Sequence, residues 1–468
     1  MKRSSVDTLG LQLNRRALLR LGGLSGAGLA LAACAPAAPQ ASAPSASDDG
    51  GAEAEPTTVE IWTGFGQGRM ADAMTGAIDR FGEENEQFEP NHVIVPWGEI
   101  HDKVIANTAA GNPPDSYRGW AWIVAEDAPI GALTDLTDFV EAEGVPQDDY
   151  WPATWKQMQY QGKFYAMSIS TIVQLFYYNK DRMAEGGFDP ENVPANLEEW
   201  EEMGHALTET EDSGELDRIG FIPLIPRADP HNWLPAFGAA VWDEETTTVT
   251  VNNERTLRLL NWYSSYNERY GAENIQAFRT AYGGNFFGRN SPEGLYYTGQ
   301  IAAWQAGSWL FNDIGEYGPD LNFGVAATPS PSDITDGHPG KLVANMYFVP
   351  ANAQNVPGGF AFCNFMSASK WVALNKAVPD SVTPSRISNA TDPEVEAAGG
   401  FWMPFARDNI LPKAWAVPSM PGIQYLAGQI YEAIDEIAYD GADPEAVLEA
   451  LSGRVQEEVN NKLEAAGG

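Results

Sequence analysis

Four tryptophans stand at or just after apolar runs that read as β-strands, each with polar side chains close by in sequence. Trp62 is followed by Thr63, Trp97 is two residues from Glu99, and Arg118 leads into Trp120 and Trp122. Ligands of open α/β sheets gather at the carboxyl ends of the strands, so these positions are candidates for a binding cleft. An indole offers a flat platform to C–H surface, while Thr, Glu and Arg supply directed hydrogen bonds. Together they suit a solute with flat faces and a rim of hydroxyls, as a sugar has. Trp233, beside His231 and Asn232 in a Pro-rich loop, joins the candidates. Most of the 15 tryptophans must fill cores, and Trp200 and Trp262, inside helical patterns, read that way.

Catalytic chemistry has weaker support. Asp115, Asp181 and the Glu126–Asp127 pair could be cast as glycosidase carboxylates, which flank one bond at about 5–9.5 Å. With 64 acidic residues, however, some such pair can always be picked. Asp115 reads better as orienting the loop beside its strand, Asp181 as part of a strand-to-helix turn, and Glu209 to Glu215 as solvated loop. The chain has no Gly-x-Ser-x-Gly elbow, Walker loop or dinucleotide fingerprint, and Gly64-Phe65-Gly66-Gln67-Gly68 lacks the Lys-Ser/Thr ending of a phosphate loop. That segment reads as the turn opening a cleft. The histidines at 92, 101, 205, 231 and 338 include no i, i+4 pair, and there is no Cys-x-x-Cys. No metal centre, no cofactor and no enzymatic activity are predicted.

The elements that would position these residues alternate. Thr57 to Gly64 is a strand and its turn, and Met70, Ala73, Met74, Ala77, Ile78 and Phe81 recur at helical spacing. A short strand at His92 to Val95 precedes a helix over Ile100 to Ala110, stopped by Gly111 with Asn112-Pro113-Pro114 beyond. Phe164 to Met167 and Gln174 to Asn179 read as two strands. Asn196 and Glu199 form a capping box for a helix through Leu207. Arg255 to Arg269 and Gly422 to Tyr439 are helical, and Val447, Leu448, Leu451, Val455, Val459 and Leu463 make the apolar stripe of a terminal docking helix. The rhythm is that of an α/β protein, and the length allows two or three cored domains.

The 468 residues carry 28 basic and 64 acidic side chains, a net charge of −36. A nucleic-acid partner is excluded for want of a basic footprint. The amino terminus is different in kind. Arg15-Arg16 and Leu18-Leu19-Arg20 precede an uncharged stretch from Leu21 to Ala33, too short to span a bilayer. This resembles a twin-arginine export signal. Its ending, Leu31-Ala32-Ala33-Cys34, resembles a bacterial lipobox, which implies cleavage before Cys34 and lipidation of its thiol. Residues 1–33 are thus expected to be a signal peptide, and residues 34–57 a lipidated cysteine with a linker of Ala, Pro, Ser, Gly and acids, too polar to fold. The shortened chain would carry −40, with Cys363 its one unmodified thiol.

A series of segments running through the folded part carries a second resemblance. Val59-Glu60-Ile61-Trp62, Ala109-Ala110-Gly111-Asn112-Pro113-Pro114-Asp115 and Gly131-Ala132-Leu133-Thr134-Asp135-Leu136-Thr137 come first. Leu175 to Asp181, the Leu197-Glu198-Glu199-Trp200 helix, Gly299 to Trp309 and Phe323-Gly324-Val325-Ala326 follow. In order and spacing they are similar to the extracellular solute-binding proteins of ABC importers, the family that includes maltose-binding protein. Two places depart from the usual pattern: Leu342 to Tyr347 lacks the paired glycines, and Phe401 to Trp415 is longer and rich in aromatics. The resemblance implies a type II periplasmic-binding-protein fold, two α/β lobes with a ligand cleft at the hinge. Lobe one is expected at 58–171 and 346–384, and lobe two at 172–345 and 385–468. It also implies that Trp309, in Gly307-Ser308-Trp309, stacks on ligand. The expected function is capture of a small solute, by preference a neutral sugar or oligosaccharide, with hinge closure and delivery to an ABC permease. The protein would be a monomer held by its lipid to the outer face of the cytoplasmic membrane or lying in the periplasm. The alternatives are a binding protein for a polyamine or peptide and a secreted carbohydrate-active enzyme.

Overall fold

The computed structural model describes residues 55–225, 232–282 and 291–467. The signal-peptide and lipobox readings, Cys34 among them, lie outside these residues, as does His231.

The first strand, β1 (Thr57–Thr63), alternates: Val59, Ile61 and Thr63 are buried while Trp62 faces the other way. Helix α1 (Gly68–Glu84) returns over the sheet to β2 (Phe88–Ile94), longer than the sequence indicates. Helix α2 (Ile100–Ala109) ends before Gly111, whose φ of 76° is the left-handed conformation that a helix stop requires. It leads to β3 (Ser116–Trp120) and the short helix α3 (Trp122–Asp127). β1 pairs in parallel with both β2 and β3, so the carboxyl ends of all three open on one side.

The next strand departs from expectation. Instead of two separate strands, one continuous β4 runs from Ala166 to Asn179. Ser168, Ser170 and Thr171 break the apolar run but not the extended backbone, because their hydroxyls find buried partners. Ser168 Oγ lies 2.6 Å from Ser385 Oγ, and Ser170 Oγ accepts from Asn345 Nδ2 at 3.1 Å. Strand β5 (Ala303–Gly307), β6 (Phe323–Ala326), β7 (Lys341–Phe348), β8 (Thr383–Pro384) and β9 (Trp415–Ala416) complete the sheet, in the order β5-β4-β7-β3-β1-β2, with β6 and β8 on β4 and β9 on β7.

β4 is shared between two halves of this sheet. From Ala166 to Val173 it is flanked by β7 and β8, and from Gln174 to Asn179 by β5 and β6. The register with β7 slips between Asn345 and Met346. A bulge there bends and twists the strand locally.

The remaining helices cover the two halves. Asn196 accepts from the Glu199 amide at 3.0 Å, and Glu199 accepts from the Ala195 amide at 2.8 Å, a capping box at the start of Leu197–Ala206. Helix α4 (Glu254–Tyr270) buries Trp262 against Trp233 and Phe237. Helix α5 (Leu310–Tyr317) follows β5, and α6 (Val356–Ala368) packs on β1 and β4. Helices α7 (Ile423–Asp440) and α8 (Pro444–Ala465) pair with each other, and the terminal stripe from Val447 to Val459 is buried. Glu209–Thr210 pairs with Leu216–Arg218 in a short hairpin, and residues 211–215 form its exposed turn. Among the described residues, no helix is long and apolar enough to cross a membrane.

Candidate functional site

The carboxyl ends of β1, β2 and β3 carry an aromatic run. Trp97 lies 5.4 Å from Trp120, ring centre to ring centre, and Trp120 lies 6.4 Å from Trp122 with their planes 16° apart. All three are half-buried, a platform with one side covered. The cover is specific. Trp97 stands edge-to-face with Phe65 at 4.8 Å, and Trp122 meets the His101 ring at 5.0 Å. Pairs of this kind add about 0.5–1.5 kcal/mol each beyond burial, which holds the platform in place.

Arg118 sits on the same face of β3 as Trp120, two residues before it. Its guanidinium carbon is 4.8 Å from the centre of the Trp97 ring and 5.2 Å from that of Phe65. Burial pulls its pKa down, against the opposing pull of Tyr347 and Asp380. Beside it, burial also lowers the pKa of Lys376, which reaches Asp380 at 3.0 Å. Phe65 and Lys376 escape a sequence reading. Phe65 hides in a loop that announces only its glycines, and Lys376 arrives from the π-helical segment Ala373–Ala377, far along the chain.

The remaining candidates divide. Trp62 is half-buried at the end of β1 and donates Nε1–H to Glu60 at 2.7 Å. Thr63 is fully buried with its hydroxyl 2.7 Å from His92 Nε2, and it also accepts from the Phe65 amide. It therefore shapes the loop and does not face a solute. Desolvation lowers the His92 pKa, which favours the neutral ring. Glu99 is exposed and pairs with Lys103 at 2.8 Å, one helical turn on. Trp233 is 1% exposed, packed against Trp262 at 4.8 Å and Phe221 at 5.7 Å. Its place is the core beneath α4, because that helix covers the loop from a distance no local composition reveals.

Trp309 belongs to the other half of the sheet. It is half-buried, stands edge-to-face with Trp304 at 6.1 Å, and opens α5. Gly307 makes room for it, since a Cβ there would fall 2.2 Å from the indole nitrogen. The amide of Ser308 donates to the carbonyl of Val173 at 2.8 Å, where β4 changes partners. Across β4's other neighbour, Trp120 pairs with Asn345 and Asn345 with Ser170. Both aromatic groups are thus tied to one stretch of β4, Ser170 to Val173.

The carboxylates weighed for catalysis hold structure. Asp115 accepts from the amides of Glu60 at 2.9 Å and Asn355 at 2.7 Å, joining β1 to the start of α6. Glu126 accepts from the Gly422 amide and from Lys462, tying α3 to α7 and α8. Asp127 is buried against His101 and Tyr117, and Asp181 accepts from Asn322. Among the described residues no group of three or more His, Cys, Asp or Glu could hold a metal ion. A concavity of about 660 Å³ beside Asn196, Ser330 and Phe405 contains none of the aromatic groups above.

Residues 67–373 match the family model of the bacterial extracellular solute-binding proteins. A relative from Brucella abortus (strain 2308), named as a binding protein, is 23% identical over 389 residues, 80% of this chain and 86% of its own. Among solved structures, MalE, the sugar-binding protein from Xanthomonas citri, has a TM-score of 0.71 at 18% identity, covering 86% of this chain and 98% of that one. The protein CpMnBP1 with mannobiose bound has a TM-score of 0.70 at 23% identity, covering 85% and 99%. An ABC substrate-binding protein from Listeria monocytogenes in complex with cycloalternan has a TM-score of 0.68 at 17% identity, covering 86% and 99%. These likenesses establish the α/β fold of type II periplasmic binding proteins.

Proposed function

The chain belongs to the bacterial extracellular solute-binding proteins, and on that premise we propose that it captures a carbohydrate and delivers it to an ABC permease. The observation that carries the carbohydrate reading is the half-buried run Trp97–Trp120–Trp122 at the open ends of parallel strands, with Arg118 beneath it. Three indoles in series accommodate more than one ring of an oligosaccharide. The ligands bound in two of the structural neighbours, mannobiose and cycloalternan, are saccharides, which supports the same class.

The mechanism is hinge closure. A ligand that contacts both lobes binds the closed state better than the open one, and only that difference moves the equilibrium. We assign the hinge to β4 around Val173 and Gln174, and to the bulge of β7 at Asn345 and Met346. Trp309 is the platform that meets the solute from the second lobe. The protein is exported and is tethered by lipid on Cys34, and it works by binding without turnover.

A thermal-shift panel of sugars, polyols, peptides and polyamines tests this reading. A saccharide is expected to raise the melting temperature most, with 100-fold saturation adding about 2.7 kcal/mol. The same saccharide should reduce the radius of gyration in solution scattering. A polyamine or peptide as the best ligand overturns the carbohydrate assignment, and tight binding with unchanged scattering overturns hinge closure.

A further inference from the structure

Beneath Trp97 lies a buried positive charge that no described side chain pairs with through a hydrogen bond or ion pair. Arg118 is 7% exposed, yet among the described residues its guanidinium makes no hydrogen bond or ion pair, and its Nε is buried without a partner. The Phe65 ring that flanks it also carries Lys376, whose Nζ is 4.2 Å from the ring centre and which is 2% exposed. One carboxylate, Asp380, serves both cations: it bonds Lys376 at 3.0 Å and acts on Arg118 only through its charge, and its second oxygen is buried and unbonded. Two cations and one anion leave a net charge of +1.

Such an arrangement is costly to fold, because the buried guanidinium loses hydration that its stacking on Trp97 and Phe65 and the charge of Asp380 repay only in part. Arginine cannot escape by losing its proton. A chain of net charge −36 has acidic residues in abundance from which a partner could have come. The guanidinium plane is fixed by two aromatic rings, and a fixed fork of donors matches a carboxylate in two parallel hydrogen bonds. The aromatic run of Trp97, Trp120 and Trp122 starts at the same ring.

We infer that the solute is an acidic saccharide, a sugar bearing a carboxylate of the uronic acid type, whose carboxylate pairs with Arg118 while its rings stack on the tryptophans. This rests on the carbohydrate reading and replaces the neutral sugar expected from the sequence. The surplus of a single positive charge matches a monoanion better than a phosphate ester, which carries nearly two charges at pH 7.

Calorimetry on the intact protein with matched pairs tests the inference: glucuronate against glucose, galacturonate against galactose, mannuronate against mannose, and the corresponding disaccharides. The acidic member of at least one pair is expected to bind at least about 10-fold more tightly, as the loss of a buried charge pair would demand. Arg118→Gln should abolish that preference. Lys376→Met, which removes the neighbouring cation and leaves Arg118 in place, should reduce it. Equal affinity within every pair, or a preference for the neutral member, overturns the inference and leaves the carbohydrate reading standing. Failure of every saccharide, acidic or neutral, overturns both. The wild-type comparison stands even where a variant does not fold.

Discussion

The indole of Trp97 lies against the backbone of Gly64, so closely that a Cβ built on Gly64 would fall 2.3 Å from two ring carbons. The glycine is there for that approach and not for an unusual backbone angle. It couples the turn after β1 to the loop after β2, and through Trp97 to Trp120 and Arg118.

Gly64→Ala therefore forces the first indole of the platform outward. Overpacking of this kind costs about 1–3 kcal/mol of stability. Urea unfolding should register that loss, and calorimetry should show saccharide affinity falling with it. A variant as stable as wild type and with the same affinity would mean that Trp97 moves freely and is no platform.

His101 makes the other end of the platform sensitive to pH. Burial disfavours its imidazolium, but the hydrogen bond and charge of Asp127, with the charges of Asp102 and Glu126, outweigh burial and raise its pKa above 6.5. A raised folded-state pKa contributes stability in full below the unfolded value and loses it as pH rises through the folded one. Unfolding free energy should thus decline as pH is taken upward from about 6.5. His101→Gln should remove that part of the decline. Because the His101 ring abuts Trp122, indole emission should titrate over the same window in the wild type alone. Identical pH profiles for the two proteins would rule the dyad out as the source.

Much of this architecture is legible in the sequence, where the signal is local. Alternation marks β1, helical spacing marks α1 and α8, and Gly111 marks a helix end, because each depends on residues a few positions apart. The strand-end position of Trp97, Trp120, Trp122 and Arg118 follows from the same local pattern. The failures share a cause. Ser168 to Thr171 looks like a break in β4 because its partners, Ser385 and Asn345, come from the far end of the chain. Trp233 reads as a binding candidate in a Pro-rich loop until α4 covers it, and Lys376 has no local mark at all. Thr63 shows the limit of the strand-end rule: alternation turns it inward, to His92, whereas Trp62 beside it faces outward.

Attachment to the membrane is tested through Cys34. The Leu31-Ala32-Ala33-Cys34 ending before a linker without apolar bulk predicts that lipid on this cysteine is the tether. Cys34→Ser should move the protein from the membrane fraction to the soluble one, because one or more acyl chains are then missing. Full retention on membranes would refute lipidation at this site. Replacing Arg15 and Arg16 with Lys should separately slow export, and unchanged export would point to the general secretory route.

Trp309 decides whether the second lobe takes part in binding. It stands where Gly307 clears space for the ring and where Ser308 ties its backbone to Val173, at the switch of β4 between the two halves. With the proposed hinge, a platform rooted there would meet a solute held by the first lobe only on closure. Trp309→Ala should accordingly cost about 1–3 kcal/mol of binding, the value of a large ring lost from a desolvated contact. If hinge closure is the mechanism, it should also weaken the compaction expected on ligand binding, because the proposed lobe-two contact would favour closure. Trp233→Phe is the control: that ring is core, so the substitution should lower stability and leave saccharide affinity as it was. Calorimetry and scattering on both variants separate the roles. If Trp309→Ala binds saccharide as well as wild type, or if Trp233→Phe loses more affinity than Trp309→Ala, the stacking surface of the second lobe lies elsewhere.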